Sequence, residues 1–178
     1  MPRDLKMRIK SLLIMEAPAF DLLKPLIHES SFPLETLKMC NNFKDERKMD
    51  YDFLRKSKLF ICNFSAELPF IQNLRNQIVH FPYTARFIQN EDFIVLIRSW
   101  VETKKPIGTC FTFSSYHLKE DVAIQIMNKV KDRFVNSTVV DNKCVNIPMG
   151  THAALKISYF QNASSLSFRM TVETIEQI

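Results

Sequence analysis

A chain of 178 residues, 46% hydrophobic and 24% charged, has the size of one domain and a globular composition, which excludes a disordered tail or a fibrous array. Its only glycines, Gly108 and Gly150, exclude the glycine-rich loops that bring several backbone N–H groups against a phosphate or dinucleotide. The net charge of +5 admits an acidic partner, but the densest basic stretch, "FKDERKMDYDFLRKSK", interleaves four acids, so the one-signed stripe of a nucleic-acid footprint is missing.

In chain order, "MPRDLKMRIKSLLIMEAPAF" comes first. Glu16 breaks its apolar run before the length of a leader core or a membrane span. An intracellular protein with reduced thiols is therefore expected, cytoplasmic or nuclear, and the sequons at Asn63, Asn136 and Asn162 carry no weight there. "AFDLLKPLIHESS" reads as a short helix broken or begun at Pro25, so residues 1–33 are expected to form an N-terminal helical part. From Leu34 to Asn42, "LETLKMCNN" fits the leucine-rich-repeat template L-x-x-L-x-L-x-x-N, and "LFICN" and "QIVHF" are looser strand candidates after it.

Asn90 is a good N-cap, with Glu91 and Asp92 in the first turn to complement the helix dipole. Phe93, Ile94, Leu96, Ile97, Trp100 and Val101 follow at helical spacing as one apolar stripe. Lys104, Lys105 and Pro106 end that helix, and Thr109–Ser115 alternates as a strand with Phe111 and Phe113 on one face. A second helix carries Val122, Ala123, Ile126, Met127, Val130 and Phe134, then gives way to the extended "STVVDNKCVNIPM". Finally, "HAALKISYF" and "SLSFRMTVE" alternate with period two around the polar "QNASS", which predicts a hairpin. The expected fold is α/β, with irregular leucine-rich-repeat-like helix–strand units over 34–135, helices on one sheet face, and antiparallel strands closing the chain over 136–178. No linker composition divides it, so 1–178 reads as a single domain.

Chemistry-bearing residues are dispersed. Cys40, Cys62, Cys110 and Cys144 form no chelating turn, and His28, His80, His117 and His152 share no ligand spacing, so neither metal nor cofactor is expected. Cys110 and His117 are the nearest thiol–base pair and carry the alternative of a small thiol enzyme. Glu120 and Asp121, like Glu91 and Asp92, fit first-turn dipole positions better than catalytic ones. A different set suggests binding. If Leu37/Met39, Leu59/Ile61, Val79/Phe81 and Phe111/Phe113 face the helices, then Lys38, Cys40, Phe60, Cys62, Ile78, His80, Cys110 and Thr112 line the opposite sheet face. That mixture of apolar, thiol and cationic groups is the candidate protein-binding face.

The block "FIVLIRSWVETKKPIGTCFTFSS", with Leu96, Ile97 and Trp100 followed by polar residues and a strand, resembles the helix–Trp–strand block of the nematode F-box-associated families. The type 2 F-box-associated domain is the nearer resemblance and the FTH domain its sibling. "THAALKISYF" and "LSFRMTV" look like the terminal strands of those families, so the resemblance spans roughly residues 55 to 178. It implies a non-enzymatic module that recognises a protein substrate for a cullin ubiquitin ligase. Such proteins dock on a Skp-family adaptor through an F-box, and nothing in residues 1–50 reads as one, so adaptor binding is not expected of this chain. A nucleic-acid-binding domain is the weakest alternative, and no membrane partner is expected.

Overall fold

Alternating apolar positions make the strands and 3.6-residue apolar stripes make the helices, and together they give a mixed α/β fold on one nine-stranded sheet. The computed structural model describes residues 6–15, 21–40 and 49–175. Five strands come first: β1 (Ser11–Ile14), β2 (Leu34–Cys40), β3 (Ser57–Asn63), β4 (Ile78–Phe81) and β5 (Cys110–Ser115). They lie side by side in chain order, each parallel to the next. Four more strands follow, β6 (Thr138–Asp141), β7 (Cys144–Pro148), β8 (Ala153–Gln161) and β9 (Leu166–Thr174). They add antiparallel in reverse order, so that β9 lies against β5 and β6 forms the far edge.

The helices are α1 (Tyr51–Leu54), α2 (Leu68–Asn73), α3 (Ala85–Gln89), α4 (Glu91–Thr103) and α5 (Glu120–Arg133). α4 behaves as its sequence demands. The Asn90 side chain accepts from the Glu91 N–H at 2.8 Å, and Phe93, Ile94, Leu96, Ile97 and Trp100 are buried along one stripe. Lys104 takes a left-handed conformation and ends it. Gly108 then turns the chain into β5 with φ +85°, where a Cβ would also meet the Gln77 amide at 2.8 Å.

The core is aromatic where α4 meets the sheet. Trp100 sits edge-on to Phe111 with ring centroids 4.8 Å apart, and Phe81 stacks on Phe113 at 4.9 Å. Phe93 bridges Phe113 and Phe168, at 5.7 Å from each. Trp100, Leu96, Phe111 and Phe113 are fully buried together, as the stripe and the alternation predict. Edge-to-face and offset geometries of this kind add to the area each ring removes from water.

Three expectations need correcting. The described part of residues 1–33 is not chiefly helical: Ser11–Ile14 forms β1, paired with β2, Met7 bridges Ile27, and the helical residues are those at 21–23 and the 3-10 turns at Lys24–Leu26 and Glu29–Ser31. The sheet's hydrogen-bonding edge outweighs local helix preference in so short an apolar run. The stretch "STVVDNKCVNIPM", expected as one extended segment, folds into two strands, the β6–β7 hairpin, antiparallel as expected of 136–178. Asp141 turns it, its carboxylate accepting from the Lys143 N–H at 2.6 Å. The third correction concerns the phase of β3 and bears on the site. Asn42, which completes the repeat template, lies outside the described residues.

Candidate protein-binding face

Residues opposite one another in register share a face of a sheet. Leu12, Leu37, Phe60, Val79, Phe111 and Met170 are successive partners across β1 to β5 and β9, and this row lies on the side where Phe111 meets Trp100. The neighbouring row runs Leu13, Lys38, Ile61, His80, Thr112, Arg169 and Ser158. It points the other way. A further row on that second face runs Thr36, Leu59, Ile78, Cys110 and Thr171.

Of the eight residues expected to line this face, six do. Lys38, Cys40, Ile78, His80, Cys110 and Thr112 alternate with the buried positions and are half-buried or, for Ile78, exposed. Phe60 and Cys62 do not. Both are 0% exposed and belong to the core, and their places on the second face are taken by Leu59, Ile61 and Asn63. The reason is a one-residue phase error in a strand whose centre, Leu59–Phe60–Ile61–Cys62, is apolar on both faces and so carries no alternation to fix its phase.

Across β4, β5 and β9 this face is hollowed into a groove of about 600 Å³, whose lining includes His80, Thr112, Ser114, Tyr116, Phe160 and Arg169. A short polar chain forms its floor. His80 Nε2 lies 3.0 Å from Ser114 Oγ, and Ser114 Oγ lies 2.7 Å from the hydroxyl of Ser167. Burial holds the His80 imidazole below its ordinary pKa, which favours the neutral ring. The Arg169 guanidinium lies over the Phe160 ring, 4.7 Å from its centroid, a contact that orients a planar cation. At the rim, Tyr83 and Tyr116 are both 55% exposed, with ring centroids 6.1 Å apart. The polar chain and the arginine could not be read from linear order, since β9 follows β5 by about 50 residues. The hairpin was legible; its insertion beside β5 was not.

The other candidate chemistry is separated by the fold. Cys110 opens β5 and His117 lies beyond its end, so about 20 Å of extended backbone stands between thiol and imidazole. The Cys110 sulfur instead accepts from the Thr171 hydroxyl at 3.5 Å. Cys40, Cys110 and Cys144 are free thiols, and among the described residues no three histidines, cysteines or acids gather at a metal-binding spacing. Glu91 and Asp92 occupy the first turn of α4 and Glu120 and Asp121 that of α5. Glu91 also pairs with Lys129 at 2.8 Å, and Glu120 with Lys143 at 2.8 Å. No helix among the described residues is long and apolar enough to cross a membrane.

No curated protein and no solved structure matches the chain. One family does, over residues 1–117, and its description names no activity. That stretch holds all five parallel strands and α1 to α4; the chain belongs to the family described as domain of unknown function DUF3557.

Proposed function

We propose that this chain is a non-enzymatic protein-interaction module whose binding surface is the second face of the sheet. The observation that carries this reading is the groove over β4, β5 and β9, where apolar, hydroxyl and cationic groups lie together on a face that leaves Ile78 44% and Leu13 53% exposed. A purely solvated sheet face would alternate polar residues against the core, and side chains of this kind exposed together are characteristic of interaction sites. Parallel strands in unbroken chain order need crossovers of one hand, which place their connecting helices on one side of the sheet. The parallel half thus reads as irregular, leucine-rich-repeat-like units that leave the other side free.

The resemblance of the α4–β5 block to the F-box-associated families gives the face a role: capturing a substrate protein for a cullin ligase, with adaptor docking left to an F-box. The test is a comparison of captured partners. Ile78→Asp with Thr112→Asp should abolish partner binding while the protein stays folded, since a charge facing water costs the monomer little and a charge buried unpaired in an interface costs several kcal/mol. A folded double mutant with unchanged partners would place the binding surface elsewhere.

A further inference from the structure

On the reading that this face binds protein, we infer that its partner is an extended, acidic peptide segment that lies across the strands and sets carboxylates against Lys38 and Arg169. The argument begins with charge. Across β2, β3, β4, β5, β9 and β8, the charged side chains at second-face positions are Lys38, Lys156, Arg169 and Glu173, with His80 among them. Lys156 and Glu173 neutralise one another at 3.4 Å. Lys38 and Arg169 have no acidic partner among the described residues, and the one other acid on these strands, Glu35 of β2, alternates to the opposite face from Lys38. Such cations, held on a face of a chain with net charge +5, attract an anionic partner.

Geometry narrows the partner further. Lys38, Ile61, His80, Thr112 and Arg169 occupy one row across five neighbouring strands. At about 4.8 Å per strand the row spans about 19 Å. An extended peptide of about six residues covers that length, with successive cationic or imidazole positions about three residues apart. Arg169 is exposed with its guanidinium over Phe160, where its N–H groups can meet a carboxylate fork. Between the charged positions, Leu59, Ile78 and Tyr116 supply apolar contact, which suits a segment carrying apolar residues between its acids. Single-stranded nucleic acid would also meet cations and aromatic rings here. It is disfavoured because its phosphates repeat at every nucleotide, whereas the two cations on this row, Lys38 and Arg169, stand four strands apart.

The experiment is a hexapeptide array of random composition probed with the whole chain, repeated with Arg169→Gln, Lys38→Gln and Ile78→Asp variants whose melting temperatures match the parent. Enrichment of Asp and Glu over Asn and Gln in the bound peptides is expected, lost with Arg169→Gln. In solution, the best acidic hexapeptide should bind about tenfold more weakly to Arg169→Gln or Lys38→Gln, and more weakly as salt rises. Peptides that bind without acidic enrichment, and are lost with Ile78→Asp, would overturn this inference and leave the protein-binding reading standing. A labelled oligonucleotide that binds more tightly than any acidic hexapeptide, or an array with no bound peptide at all, would overturn both.

Discussion

His80 is half-buried on the groove floor with a hydroxyl beside it and no carboxylate among the described residues, and burial lowers its pKa from the ordinary 6.5. The folded state then binds fewer protons than the unfolded one between the two pKa values, and stability rises with pH across that interval. His80's contribution is complete above about pH 6.5 and is lost as the pH falls from there through the lower folded value. Thermal melts at pH 7.5 and 5.5 should therefore show a decline that His80→Gln reduces; an identical decline in the variant would mean the imidazole is solvated. Asp50, held down chiefly by the Lys24 side chain, titrates below 3.8 and does not enter that window. Trp100 offers a second single-residue measurement. Trp100→Ala should cost about 3 to 5 kcal/mol, because it opens a cavity between α4 and β5. The Trp100 indole N–H is buried without a partner among the described residues, so Trp100→Phe keeps the aromatic contact and loses no hydrogen bond to them. The Phe variant should melt much closer to the parent than the Ala variant. Equal losses would show that the indole N–H has a partner after all.

At the scale of single elements, legibility followed periodicity. α4 was readable from its cap, its stripe and its cationic end because each signal occupies a fixed helical position. β5 and the β8–β9 hairpin were readable from alternation. β3 was found but read out of phase, since its centre is apolar at four consecutive positions. β1 was missed because its four residues are too few to separate strand from helix. Register is directly testable at β3. Phe60→Lys should unfold the protein, since it places a charge in the core, whereas Ile61→Lys should leave it folded because Ile61 is half-buried on the second face. Circular dichroism melts of the two variants decide the phase. The reverse order of tolerance would put Phe60 on the second face and Ile61 in the core.

At the scale of the whole molecule, the groove belongs to no continuous stretch of sequence. Its walls come from β4 and β5 on one side and from β9 and the end of β8 on the other, and only the first pair falls within residues 1–117. β5 is an interior strand, bonded along its full length to β9, and Phe168 of β9 completes the aromatic contact with Phe93. Residues 1–117 expressed alone would therefore expose the β5 edge and half of that aromatic cluster to water. Such a fragment should lack a cooperative melt and should aggregate, as unpaired apolar edges do. A fragment with a sharp thermal transition would show that the parallel half is a folding unit of its own, and the C-terminal strands an addition.

The position of β9 also has a consequence in time. During synthesis, β5 leaves the ribosome about 50 residues before β9 begins to emerge. At 5–20 residues per second that is a wait of about 3 to 10 s. For those seconds the nascent chain carries an open strand edge at what will become the middle of its sheet, so a holding chaperone has most to protect there, and a translational pause just before Leu166 would do the most harm.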